Sequence, residues 1–145
     1  MTSSLCRSLS ALPGLSELCL TTNGAQLARF AAPLRAAGVS RLNISLDTLQ
    51  PERFACLTRR GNLQDGIAAA EAAGFDRLKL NCVLMGGVND DEIGDFLRLT
   101  EEHPWEVRFI ELMPMGPCAH WSGERFLPAG VILERFPALR PLPGD

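Results

Sequence analysis

Runs of alternating apolar and polar residues recur along the chain, and each is followed by a stretch with apolar residues at helical spacing. The alternating runs predict four β-strands: Glu17–Asn23, Arg41–Asp47, Arg77–Met85 and Glu106–Met113. The intervening stretches predict helices over Ala25–Ala37, Asn62–Ala73 and Pro128–Phe136, a short helix beginning at Pro51 and another beginning at Asn89. Because helical crossovers join successive strands, the chain is predicted to be an α/β protein with one parallel sheet.

Turn residues support several of these boundaries. Gly38 and Gly74 directly follow two predicted helices, where a glycine accepts the left-handed conformation that ends a helix. Asn89 and Glu92 have the spacing of a capping box, which predicts that they cap the helix that starts there.

The predicted strands have one apolar and one polar face, whereas fully buried parallel strands are apolar on both. In the second strand the apolar positions are Leu42, Ile44 and Leu46, and the polar ones are Asn43, Ser45 and Asp47. Since an unpaired buried polar group costs ~1–3 kcal/mol, we expect the polar face to line a lumen, as in an α/β barrel. The alternative is a flat sheet whose polar residues bond to one another. A closed barrel is built from about eight strands, so this chain is expected to form only part of one.

Composition narrows the class of protein. The chain has 145 residues, 46% of them hydrophobic, and a formal charge of −3, so it has enough apolar material for a core and no basic excess for nucleic acid. No apolar run is long enough to span a bilayer. We therefore expect a cytoplasmic protein without nucleic-acid or membrane partners.

The cysteines lie at dispersed positions: Cys6, Cys19, Cys56, Cys82 and Cys118. Their number is odd and no two are closely spaced, so neither a disulfide framework nor a metal site is predicted. Cys118 and His120 lie two positions apart, but two side chains in a loop make a weak metal site, and an ordinary loop thiol and histidine are the favoured interpretation.

Several polar residues are candidates for chemistry at the strand ends. Lys79 is the only lysine in the chain and lies between two leucines, so it is interpreted as an inward charge for an anion or a Schiff-base nucleophile; the alternative is an edge lysine in solvent. Arg108 and Glu111 have opposite parity, so at least one should reach the polar face, where they could pair with each other or with Lys79. The run Thr21–Gly24 could bind a polar ligand or simply cap a helix.

Five blocks in register carry a resemblance to a known family: LTTNG at 20–24, RLNISLDTL at 41–49, KLN at 79–81, GVNDDEI at 87–93 and RFIELMPMG at 108–116. Together they closely resemble the MoaA family, the radical S-adenosylmethionine GTP 3′,8-cyclases of molybdenum cofactor biosynthesis. The resemblance implies a partial (β/α)6 TIM barrel, of which this chain holds the third to sixth strands. Residues 1–125 would be a partial radical SAM core domain, and residues 126–145 the start of the C-terminal region.

The resemblance also implies roles for single residues. Ser45 and Met113 would bind S-adenosylmethionine, and Thr21 and Lys79 would bind GTP. Their expected neighbours in the site are Asn23, Asn81 and Arg108. No catalytic residue and no metal ligand is assigned to this chain.

The activity implied is that of a lyase that converts GTP to (8S)-3′,8-cyclo-7,8-dihydroguanosine 5′-triphosphate by radical chemistry. The family uses S-adenosylmethionine and two [4Fe-4S] clusters, forms homodimers and passes its product to a MoaC-type synthase. The iron–sulfur ligand motifs, CxxxCxxC and CxxC…C, are absent from this sequence. We therefore expect a fragment that is inactive alone. A different radical SAM enzyme and a non-catalytic nucleotide-binding remnant are the alternatives.

Overall fold

The computed structural model describes residues 2–58, 63–113 and 122–141. The strands are β1 (Cys19–Thr22), β2 (Arg41–Ser45), β3 (Leu78–Leu84) and β4 (Glu106–Glu111). The helices are α1 (Thr2–Ser10), α2 (Leu27–Ala36), α3 (Pro51–Thr58), α4 (Leu63–Ala72), α5 (Ile93–Glu102), α6 (Ser122–Arg125) and α7 (Gly130–Arg135), and a 3-10 turn, Asp90–Glu92, leads into α5. None of the helices in these described ranges has the length and apolar character needed to cross a membrane.

The four strands form one parallel sheet in the order β1-β2-β3-β4. The sequence prediction of an α/β fold with a parallel sheet is therefore confirmed. Each strand neighbours the next one along the chain, as expected when every connection crosses the same side of the sheet.

Burial alternates along the strands as the hydrophobic pattern predicts. In β3 every second residue, from Leu78 to Leu84, is buried, and the residues between them are only half-buried. Leu42 and Ile44 of β2 are fully buried on the same side. The helices pack on this apolar side, where the Phe96 ring of α5 meets the edge of Phe109 at a centroid distance of 5.9 Å. The core thus lies between the helices and one face of the sheet.

A glycine sets the packing of α1 against the end of α2. Gly38 has φ +91°, and a Cβ placed there would lie 2.5 Å from the Ser10 side chain. The Ser10 hydroxyl donates to the Ala37 carbonyl oxygen at 3.0 Å. Only glycine allows both the backbone conformation and this close approach. The predicted glycine terminus of α2 is confirmed.

The last described segment packs on the same core. Ile132 of α7 is buried, and the Ala129 amide donates to the Glu111 carboxylate at 2.8 Å. The Gly86 amide donates to the Arg125 carbonyl oxygen, also at 2.8 Å. These contacts hold α6 and α7 against the carboxyl ends of β3 and β4.

One boundary prediction is wrong. Asn89 and Glu92 form no capping box, because no side-chain cap hydrogen bond is present at the start of the 3-10 turn or of α5. Their polar atoms bond instead to residues in and after β2 and β3. Several strands and helices are also one or two residues shorter than predicted at their ends, and α5 begins four residues after the predicted start, because the 3-10 turn precedes it.

Candidate ligand-binding site on the polar face of the sheet

The face of the sheet opposite the helices is polar. We call it the polar face and define it by Thr21, Asn43, Ser45, Lys79, Asn81, Glu106 and Arg108. Their side chains alternate with the core residues in each strand, and they are exposed or half-buried. The polar and apolar faces assigned from the sequence are thus those of the folded chain.

Strand register places four of these residues side by side. Thr21 pairs with Asn43, Asn43 with Lys79, and Lys79 with Glu106. Neighbouring strands lie about 4.8 Å apart, so Thr21 and Lys79 are separated by about 10 Å across Asn43. A ligand of nucleotide size can therefore contact both ends of this row.

An ion-pair cluster occupies one end of the row. The Lys79 ammonium lies 2.7 Å from the Glu106 carboxylate, and the Arg108 Nε donates to the same carboxylate at 2.6 Å. The ammonium and, to a smaller degree, the guanidinium hold the pKa of Glu106 below its ordinary value. Lys79 thus lies on the polar face of a strand that is not at the sheet edge, and its partner is Glu106 rather than Glu111, which accepts from the Ala129 amide.

Asn43 has an unsatisfied acceptor in the middle of the row. Its Oδ1 is buried and has no hydrogen-bond partner among the described residues. Such an atom usually has a donor from protein, water or ligand. The sequence indicated that Asn43 faces the polar side but did not distinguish it as a site residue. Only the strand register shows that Asn43 lies between Thr21 and Lys79, and the sequence alone does not give this register.

A second row lies one step nearer the carboxyl ends of the strands. Ser45 pairs with Asn81, and Asn81 with Arg108. Ser45 is exposed, so its hydroxyl is accessible from the polar face. Asp47 follows β2, and its Oδ1 accepts a hydrogen bond from the Val83 amide at 2.9 Å. Burial raises the pKa of Asp47, and the Val83 hydrogen bond opposes that shift.

The residues at the end of β1 and in the turn after it have two different roles. The Thr22 hydroxyl accepts from the Gly24 amide at 3.2 Å, and Asn23 Oδ1 accepts from the Ala25 amide at 3.2 Å. These two side chains therefore bond within the turn, but the capping interpretation is wrong, because the N-cap of α2 is Gln26 and no side chain caps the helix. Thr21 is exposed on the polar face, so its hydroxyl is accessible to a ligand.

Met113 lies at the margin of the site. It is 55% exposed. It lies two residues beyond the end of β4, so it is not paired with a residue of a neighbouring strand. Cys118 and His120 lie outside the described residues. The structure thus brings together Thr21, Ser45 and Lys79 on one face.

A metal cluster needs several thiolate, imidazole or carboxylate ligands close together. Within ranges 2–58, 63–113 and 122–141, no three His, Cys, Asp or Glu side chains are grouped to hold a metal ion. Cys6 and Cys82 are buried free thiols, and Cys19 and Cys56 are exposed ones. These residues do not fit an iron–sulfur cluster. The polar face, with its exposed Ser45 hydroxyl and the unsatisfied Asn43 acceptor, does fit a small polar ligand.

The chain is similar to known proteins. The chain is 53% identical over 136 residues to the GTP 3′,8-cyclase of Pseudomonas fluorescens (strain Pf0-1), an alignment that covers 91% of this chain and 41% of that protein. It is 51% identical over 141 residues to the GTP 3′,8-cyclase of Moorella thermoacetica, covering 95% and 43%. For the GTP 3′,8-cyclase of Peptoclostridium acidaminophilum, identity is 46% over 145 residues, covering 97% and 45%.

The chain spans less than half the length of these curated relatives. The family model of the radical SAM superfamily matches residues 3–100, which include β1, β2, β3 and most of α5. That match covers about two thirds of the chain, so the chain belongs to the radical SAM superfamily.

Proposed function

We propose that this chain is the nucleotide-binding part of a GTP 3′,8-cyclase, the lyase that converts GTP to (8S)-3′,8-cyclo-7,8-dihydroguanosine 5′-triphosphate. Relatives of that name share about half of its residues over more than nine tenths of its length. The observation that carries the proposal is the row of Thr21, Asn43 and Lys79 on the polar face. The domain division at residue 125 is part of the same proposal.

In this proposal Lys79 and Thr21 bind GTP. The Lys79 ammonium is paired with the exposed Glu106 carboxylate, so a triphosphate can take the place of that partner without first burying a charge. Thr21, at the other end of the row, offers a hydroxyl to the same ligand. The unsatisfied Asn43 acceptor between them suits the N–H or O–H groups that a nucleoside carries.

S-adenosylmethionine binds on the adjoining row in this proposal, through Ser45 and Met113. The Ser45 hydroxyl is exposed at the carboxyl end of β2, and the flexible Met113 thioether lies beyond the end of β4. Asn81 and Arg108 are neighbours of Ser45 in register, and Asn23 lies in the turn beside Thr21. When bound, S-adenosylmethionine supplies the group that removes a hydrogen atom from the substrate.

The superfamily depends on S-adenosylmethionine and an iron–sulfur cluster. Among the described residues, no three His, Cys, Asp or Glu side chains are grouped to hold a metal ion. We therefore infer that the cluster ligands come from other residues. A second [4Fe-4S] cluster, a homodimeric state, a cytoplasmic location and delivery of the product to a MoaC-type synthase are further parts of the proposal. The described residues alone would therefore not turn over GTP.

A chimera tests the function. Residues 3–113 of this chain replace the matching stretch of the Pseudomonas fluorescens cyclase, and GTP conversion and 5′-deoxyadenosine formation are both measured. We expect conversion of GTP, and we expect Lys79→Ala to raise the KM for GTP about tenfold or more, as loss of a charged hydrogen bond does. Arg98→Ala, at an exposed position of α5 outside the polar face, is the control and should leave both products unchanged.

The outcomes separate the alternatives. Formation of 5′-deoxyadenosine without GTP conversion would indicate a different radical SAM enzyme. GTP binding without either product would indicate a nucleotide-binding remnant. Equal effects of Lys79→Ala and Arg98→Ala would overturn the role of Lys79.

A further inference from the structure

Two loops at the carboxyl ends of neighbouring strands are joined by buried side chains. One loop, residues 46–50, follows β2, and the other, residues 85–92, follows β3. Asn89 is 1% exposed, and its Nδ2 donates to the Asp47 carbonyl oxygen at 2.7 Å and to the Val83 carbonyl oxygen at 2.9 Å. Its Oδ1 accepts from the Met85 amide at 2.8 Å. One amide thus links both strand ends.

Glu92 makes the second connection. Its Oε1 accepts from the Thr48 hydroxyl at 2.7 Å, and its Oε2 accepts from the Leu49 amide at 2.6 Å. Arg53 of α3 donates to Oε1 at 2.7 Å, so the buried carboxylate has a cationic partner. Glu92 and Thr48 are each 1% exposed. The carboxylate therefore holds the loop after β2 by its backbone and by a side chain.

These bonds start where regular strand pairing stops. The Leu46 amide donates to the Asn81 carbonyl oxygen at 2.8 Å, directly after Ser45. Beyond it, side chains take the place of backbone partners: the Asp47 carboxylate accepts from the Val83 amide, and the Asn89 amide bridges the two carbonyl oxygens. Ser45 is thus the last regularly paired residue of β2, and side chains from the neighbouring loop determine the path of the chain that follows it.

The buried Glu92 carboxylate is not expected to add much stability, because apolar replacements of buried ion pairs are often neutral or stabilising. Its hydrogen bonds instead fix the positions of Thr48 and Leu49. We propose that Asn89 and Glu92 are positioning residues: they fix loop 46–50 and, through it, the Ser45 hydroxyl for its ligand. This inference rests on the proposed function, in which that ligand is S-adenosylmethionine.

Two adjacent acids provide a matched test. Asp91 and Glu92 both pair with Arg53, but Asp91 lies on the surface and only Glu92 contacts loop 46–50. In the full chain, we expect Glu92→Gln to speed amide hydrogen exchange at Leu49 and Gln50 about tenfold, as the loss of one buried hydrogen bond predicts. Asp91→Asn should leave these amides within about twofold of wild type, since surface ion pairs contribute little.

The ligand readout separates positioning from stability. S-adenosylmethionine and GTP are titrated separately into the isotope-labelled chain, and amide shifts report each dissociation constant. We expect Glu92→Gln to weaken S-adenosylmethionine binding about fivefold to tenfold and GTP binding less than about twofold, because Lys79 and Thr21 lie outside the linked loops. In a Ser45→Ala background the Glu92→Gln effect should vanish, since both substitutions remove the same contact.

Failure of this inference and failure of the proposed function are distinguishable. Unchanged exchange at Leu49 and Gln50 in Glu92→Gln would overturn the inference, whatever the ligands do. Faster exchange with unchanged S-adenosylmethionine affinity, or equal weakening of both ligands, would overturn it as well. Wild-type chain that binds neither ligand would count against the proposed function, and the exchange data would still decide whether Glu92 fixes the loop.

Discussion

Lys79 and Glu106 face each other across the pairing of β3 with β4, with their charged atoms 2.7 Å apart. Glu106 also accepts from Arg108, but the Lys79 hydrogen bond is the larger cause of its lowered pKa. The ion pair therefore fixes the only lysine of the chain on the polar face, in line with Asn43 and Thr21.

The titration of Glu106 tests this arrangement. Lys79→Met should raise the pKa of Glu106 towards 4.5, and Arg108→Met should raise it less, as carboxyl chemical shifts in NMR would report. Because the pKa of folded Glu106 is lowered, its contribution to stability is present above pH 4.5 and is lost as the pH falls through the folded value. For such an exposed pair that contribution should stay below ~1 kcal/mol. A larger rise in the Arg108 variant would contradict the assigned partner.

Asp47 should have the opposite pH dependence. Its pKa in the folded chain is raised above 3.8 by burial, so stability falls as the pH rises from there through the folded value. Asp47→Asn keeps an acceptor for the Val83 amide and removes the charge, so this variant should lack that fall. Urea unfolding between acid and neutral pH measures the difference, with Asp65→Asn at an exposed position of α4 as the control. If the free energy of unfolding depended on pH in the same way in wild type and in Asp47→Asn, burial would not raise the pKa of Asp47.

Replacing Gly38 or Gly14 by alanine should distinguish the cost of backbone strain from the cost of a steric clash. Both have positive φ, but an added Cβ would lie 2.5 Å from Ser10 at position 38 and would meet nothing within 4 Å at position 14. Gly14→Ala should lower the free energy of unfolding by ~1 kcal/mol from backbone strain alone. Gly38→Ala should cost more, ~2–4 kcal/mol, because α1 must also move. Chemical denaturation measures both, and equal losses would mean that α1 does not pack closely on the end of α2.

Thiol reactivity should follow burial. Cys6 and Cys82 are buried, and burial strongly raises the pKa of Cys82, so both should resist alkylation in the folded chain. Cys19 and Cys56 are exposed and should react, with Cys19 the slower because partial desolvation and Glu17 raise its pKa. Iodoacetamide labelling followed by peptide mass spectrometry gives the rates. Rapid labelling of Cys82 without denaturant would contradict the position of β3 in the core.

The hydrophobic pattern was sufficient for the sheet because side-chain direction alternates strictly along a strand. Leu78, Leu80 and Lys79 were assigned to the correct faces from that alternation alone. The strands end earlier than the pattern suggested because side chains take over the hydrogen bonds: Asp47 does so after β2, and Asn23 turns the chain after β1.

Longer-range contacts account for what the sequence did not reveal. Asn89 and Glu92 looked like a local cap, but their partners after β2 lie about forty residues earlier in the chain. The same limit hid Asn43, whose unsatisfied oxygen becomes distinctive only between Thr21 and Lys79. Spacing within one segment does not report such neighbours. The roles of Thr21, Ser45, Lys79 and Met113 in ligand binding stay predictions.

Strict alternation in β3 also limits how the gene can change. Inserting or deleting a single codon inside this strand would rotate every following side chain to the opposite face. Cys82 and Leu84 would then meet water, while Asn81 and Val83 would turn towards the helices. The turn around Gly14 lies outside the strands and has no such parity, so a change in its length leaves the two faces of the sheet unchanged. The strands should therefore keep their length over evolutionary time even where their residues are exchanged.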